Sequence, residues 1–103
     1  MQTLTTLGDL LSGIDGLDSA LTLYAPGSRP LLPSSPGQAI PDDEGSISIL
    51  ATHGLVYLLE VDIARDVIEV WSAWRDGRAP TVEERVAAVS FYADHDAHLP
   101  VTQ

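Results

Sequence analysis

Apolar residues recur along this chain with two different periods, and the changes of period mark out its elements. Leu7, Leu10, Leu11 and Ile14 stand at helical spacing behind a capping Thr6, with Asp9 three residues on. Gly13 and Gly16 follow, so the pattern predicts a short N-terminal helix with a glycine stop. Leu21, Leu23 and Ala25 then alternate with Thr22 and Tyr24, the period of a strand, until Pro26-Gly27 ends it. Alternation returns over Ser46–Thr52, and Leu55–Val61 is rich in aliphatic and β-favouring residues. The two residues between them, His53-Gly54, suit a type I′ hairpin turn, because Gly and His tolerate positive φ. The same residues also permit one long helix over Leu55–Trp74; the β-branched content and the turn signal favour the hairpin.

Beyond the hairpin the period is helical. Asp62 reads as an N-cap, and Ile63, Val67, Val70, Trp71 and Trp74 form an apolar stripe in a helix from Ile63 to about Asp76, with Gly77 as its stop. A second helix begins after Pro80, where Thr81 and Glu84 have capping-box spacing. Val82, Val86, Val89 and Ala93 supply its inner face, and Pro100 closes the helix pair of residues 63–96. The expected architecture is one α+β domain over residues 1–103, a small three-stranded antiparallel sheet with helices packed on one face.

Between residues 26 and 41 the composition changes. Prolines at 26, 30, 33, 36 and 41 stand among Gly and Ser, which predicts a stiff surface loop with a short extended piece at Gln38–Ile40. Pro30 to Pro33 and Pro33 to Pro36 match a P-x-x-P ligand by spacing, a match that proline-rich loops produce by chance.

Charge narrows the function. The 103 residues hold 5 Lys+Arg against 15 Asp+Glu, a formal net charge of -10. Nucleic acid and an anionic membrane surface would repel such a chain, so neither is expected as a partner. All five cations are Arg, and with no Lys the chain has no P-loop and no Schiff-base chemistry. The absence of Cys removes disulfides, thiolate catalysis and iron–sulfur ligation. The opening residues show no basic n-region and no long apolar run, so a signal peptide is not expected and a cytoplasmic location is.

Three sets of residues carry candidate chemistry. Asp94, His95 and His98 are the one group with metal-ligand residue types at helical spacing, against the plainer reading of a polar helix end; no other metal or cofactor is expected. His53 lacks a nucleophile and an orienting carboxylate, so the turn accounts for it. Acids cluster at Asp42, Asp43 and Glu44 and again along the first long helix at Asp66 and Glu69, where Arg65 stands at i, i+4 spacing to Glu69. Trp74, Phe91 and Tyr92 belong to the long helices; Phe91 and Tyr92 are adjacent and cannot both face inward, and exposed aromatics anchor interfaces.

Short motifs at Leu7–Leu11, Tyr24–Pro26, Pro41–Glu44 and His53–Leu59 resemble those of a group of short acidic uncharacterised bacterial proteins, over roughly residues 4 to 70. In size and charge the build is similar to that of immunity proteins, which neutralise bacterial toxins; this likeness is one of build and not of motif. It implies a non-enzymatic acidic binding protein that occludes a basic protein partner, with Asp42, Asp43, Glu44, Asp66, Glu69, Trp74, Phe91 and Tyr92 at the contact. A small homodimeric regulatory or scaffolding subunit is the second reading. A metal-dependent enzyme built on Asp94, His95 and His98 is the third.

Overall fold

The computed structural model describes residues 5–41 and 54–99. Strand β1 (Thr5–Thr6) leads directly into helix α1 (Leu7–Ser12), whose first turn is capped as expected: the Thr6 hydroxyl accepts from the Asp9 amide at 3.2 Å. A 3-10 turn (Ile14–Gly16) follows, then β2 (Thr22–Pro26), β3 (Pro36–Ile40) and β4 (Leu55–Glu60). The chain ends its regular structure in two long helices, α2 (Val61–Ala73) and α3 (Val82–His95). Among the described residues no helix is long and apolar enough to cross a membrane.

The fold is α+β, but its sheet has four strands, in the order β1-β3-β2-β4, where three were expected. Strand β1 comes from a segment that carries no strand period, and β3 carries the short extended piece expected at Gln38–Ile40 back to Pro36. Within the proline-rich stretch, Pro36 opens β3, a position that needs no ladder N–H, and β3 pairs antiparallel with both β1 and β2. The expected strand at Ser46–Thr52 and the hairpin residue His53 lie outside the described residues. Gly54, the described half of that expected turn, has φ +72°, a left-handed conformation open to glycine.

Leu55–Glu60 is a strand, so the alternative of one continuous helix from Leu55 is set aside. Its burial departs from strict alternation, because Leu58 and Leu59 are both buried while Val56 and Tyr57 are exposed. A register shift against β2 explains this: Leu59 faces Leu23 and Tyr57 faces Tyr24, which leaves Leu58 as the extra residue of a bulge.

Central strand β2 buries Thr22, Leu23, Tyr24 and Ala25 in succession. Leu23 and Ala25 join the main core with Leu7 and Leu11 of α1, Val61, Ala64, Val67, Ile68 and Trp71 of α2, and Val86, Ala88 and Val89 of α3. Tyr24, of opposite parity, packs with Leu55 and Ile40 in a second, smaller cluster. Helix α1 approaches the proline-rich segment so closely that a Cβ on Gly8 would lie 2.9 Å from the Pro33 carbonyl oxygen.

Two helix details differ from the sequence reading. Helix α2 starts at Val61, with Glu60 and not Asp62 at the N-cap position and no side-chain cap, since it continues without a loop from β4. Of the expected stripe, Val67 and Trp71 are buried as read, Ile63 and Val70 lie on the flank of the buried face and Trp74 is exposed, while Val61, Ala64 and Ile68 complete the buried face. Helix α2 also ends at Ala73, short of Asp76; Asp76 and Gly77, both with positive φ, turn the chain toward α3.

Candidate functional site: the outer face of α2 and the aromatic end of the helix pair

At 100° per residue, Asp62, Asp66, Glu69 and Ala73 fall along one side of α2, opposite Ala64, Val67 and Trp71. All four are exposed. None of the three acids has an ion-pair partner among the described residues. The i, i+4 pair expected between Arg65 and Glu69 does not form. Arg65 turns inward, donating from Nε to the Ile14 carbonyl at 3.2 Å and from Nη2 to the Leu17 carbonyl. Both carbonyls lie at the ends of the 3-10 turn; that of Ile14 also accepts from the Leu17 amide at 3.1 Å, so the guanidinium adds a second donor to it.

The other four arginines are likewise engaged within the fold. Arg29 holds both carboxylate oxygens of Asp94, at 2.9 to 3.2 Å, tying the proline-rich segment to the end of α3. Arg75 donates to the Trp71 carbonyl at 3.0 Å and lies 4.2 Å from the Trp71 ring centroid, with Arg78 on the same ring at 4.8 Å. Arg78 also meets Glu84 at 2.9 Å. Arg85 donates to the Leu11 carbonyl at 2.9 Å, closing the C-terminus of α1. The hydrogen bond from Arg78 and the backbone N–H of Thr81 hold the Glu84 carboxyl down to a pKa of about 2. The expected capping box is complete, with the Thr81 hydroxyl accepting from the Glu84 amide at 3.2 Å and the Glu84 carboxylate accepting from the Thr81 amide at 2.9 Å.

An aromatic cluster closes the far end of the helix pair. Trp74 is 51% exposed, and its ring meets His98 edge-on with centroids 5.6 Å apart. Tyr92 lies 5.1 Å from His98, and Phe91 stacks at 4.3 Å on His95. Phe91 and Tyr92 are both half-buried, the compromise that adjacent positions on one helix impose. A cleft of about 370 Å³ opens beside Phe91, between α3 and Arg29–Leu31, with Asp94 and His95 on its wall.

The candidate metal set does not converge. Helix α3 ends at His95 and Asp96 takes a left-handed conformation (φ +52°), so His95 and His98 do not share a helical face. Asp94 is held by Arg29, and the two imidazoles sit against different aromatic rings. Among the described residues no group of His, Asp and Glu is arranged to hold a metal ion. Asp42, Asp43 and Glu44 lie outside the described residues.

Over residues 4–101 the chain matches the family described as Domain of unknown function (DUF7716). The chain belongs to this family. No curated protein and no solved structure matches it. The DUF7716 span runs through α2 and α3, well beyond the residue 4–70 stretch in which the short motifs lie, so the helix pair and the aromatic end are part of the family domain.

The inward-turned arginines are the feature that reading the sequence missed. Only the i, i+4 spacing of Arg75 to Trp71 and the six-residue separation of Arg78 from Glu84 are local signals. Arg29 and Asp94 are 65 residues apart, and Arg85 and Leu11 are 74 apart. No periodicity announces contacts at such separations.

Proposed function

We propose that this chain is a non-enzymatic binding protein of the immunity or inhibitor kind, which acts in the cytoplasm by occluding a basic protein partner. The observation that carries the reading is the outer face of α2. Asp62, Asp66 and Glu69 are exposed there, and all five arginines of a chain with net charge -10 are engaged elsewhere in the fold. An acidic face with no local neutralisation attracts a cationic partner over about a Debye length and raises the association rate. Trp74, half-exposed five residues beyond Glu69 and on the adjoining flank of α2, supplies the aromatic anchor that slows dissociation.

The test captures the host partner on the tagged chain, identifies it, and measures Kd for the purified pair from about 50 to about 300 mM salt. A basic partner whose Kd weakens at least about tenfold over that range supports the reading, with Asp66→Asn plus Glu69→Gln slowing association and Trp74→Ala hastening dissociation. A salt-independent Kd or an acidic partner overturns it. Light scattering that shows a stable dimer broken by Trp74→Ala replaces it with the homodimer reading.

A further inference from the structure

Four charged side chains of opposite sign line one cleft without pairing with one another. The cleft, about 430 Å³, lies where the 3-10 turn, α2, the α2–α3 connection and α3 converge. Arg65 and Arg85 are half-buried in its wall, and Asp15 and Glu69 are exposed at its rim. The ion pairs found among the described residues are Arg29–Asp94 and Arg78–Glu84, so neither rim acid is neutralised by a wall arginine.

Both guanidiniums are fixed in place by backbone carbonyls: Arg65 by those of Ile14 and Leu17, and Arg85 by that of Leu11. Arg65 Nη1 and Arg85 Nε and Nη2 have no acceptor among the described residues. A guanidinium anchored on one side with free N–H groups on the other is preorganised to hold a carboxylate, and little side-chain entropy is lost when it does so. Ser72 also lines this cleft, and Ile68 and Pro80 give it an apolar part.

We propose that this cleft binds a small zwitterion of the α-amino-acid class, with its carboxylate on Arg65 and Arg85 and its ammonium toward Asp15 and Glu69. Charge balance favours a ligand of this type. A bare anion of the same size meets the rim acids and the net charge of -10, and a bare cation meets the two arginines. A neutral ligand with separated poles satisfies both signs, and its side chain lies against Ile68 and Pro80. The volume falls within the range of roughly 300–1,000 Å³ that small-molecule sites occupy.

The experiment is calorimetry on the full chain with each standard amino acid. For the tightest binder it continues with two analogues, one lacking the amino group and one lacking the carboxylate. The expected result is saturable binding at least about tenfold tighter than either analogue, the loss that follows from removing one charge-assisted contact. Arg85→Gln, which removes the guanidinium, lowers affinity by about tenfold or more with an unchanged circular dichroism spectrum. Should that variant fail to fold, Glu69→Gln at the exposed rim reads the other pole. It brings the amino acid and its des-amino analogue to within about threefold of each other. Three outcomes overturn the proposal: no amino acid binding by about 10 mM, an analogue that binds as tightly as the amino acid, or affinities that neither substitution moves.

Discussion

Helices α2 and α3 are similar in length and lie side by side in the same core, yet their polar residues do opposite things. Helix α3 opens on a complete capping box, and Glu84, Arg85 and Asp94 along it each meet a group on another segment. Helix α2 has no side-chain cap, and its outward acids Asp62, Asp66 and Glu69 meet no cation among the described residues. One helix is fastened by directional contacts as well as by burial; the other is held by its buried face, with Arg65 and Arg75 reaching back from its flank and end. A carboxylate already paired with an arginine inside the fold is not open to a cationic partner. The contrast therefore separates a structural helix from one whose outer face is free to meet a partner.

The largest test removes what holds α2. Trp71 is buried, is the platform for Arg75 and Arg78, and contributes the largest side chain of the α2 core face. Trp71→Ala is expected to cost about 3–5 kcal/mol by urea unfolding. A loss below about 1 kcal/mol would show that α2 is not held by burial and would remove the contrast.

Next come the fastenings of α3. Thr81→Ala removes the capping hydroxyl and is expected to cost about 1 kcal/mol in the same measurement. Glu84 adds a pH signature. Its folded pKa, about 2, lies below its ordinary value of 4.5, so the native state binds fewer protons than the unfolded chain as the pH falls between the two. Its contribution is present in full above the unfolded value and fades toward pH 2. The stability gap between the wild type and Glu84→Gln should therefore be constant near neutrality and close progressively below about pH 4.5. A gap that persists unchanged to pH 2 would show that the Arg78–Thr81 environment does not hold the carboxylate.

Smaller still is the Arg29–Asp94 pair, whose side chains are 32% and 37% exposed. A double-mutant cycle with Arg29→Gln and Asp94→Asn should give a coupling of about 0.2–1 kcal/mol, reduced by salt. The smallest effect is expected on the outer face of α2. Asp66→Asn and Glu69→Gln should each leave stability within about 0.5 kcal/mol of wild type, with any change toward stabilisation as self-repulsion falls. A large loss at either acid would make that face structural and withdraw it as a recognition surface.

Much of the fold could be read from the chain because its signals are local. The Thr6 cap, the Thr81–Glu84 box, the strand at Leu55–Glu60 and the start of α3 depend on residues within one or two turns of each other. Steric and hydrogen-bonding preferences at that range act before any tertiary contact forms. The candidate site was legible only in part. Asp66 and Glu69 stand exposed with Trp74 half-exposed beyond them, but the grouping of Asp94, His95 and His98 dissolves, because the helix ends at His95. Helix termination there rests on a left-handed Asp96, which no glycine signals.

What the sequence by itself determined is the α+β character, the placing of the two long helices, the capped starts of α1 and α3, and a large acidic excess with only five cations to offset it. How the buried face of α2 is completed was decided by tertiary structure: Val67 and Trp71 of the expected stripe are buried, but Val61, Ala64 and Ile68 join them while Ile63 and Val70 lie on the flank and Trp74 is exposed. Strand β1 and its pairing with β3 were decided in the same way. β1 and β3 find each other across some thirty residues, and a two-residue strand has no period to read. So too were the arginine contacts, in which Arg29, Arg65 and Arg85 reach oxygens 48 to 74 residues away. Composition counts charges, but only packing brings an arginine to a carbonyl and leaves an aspartate facing water.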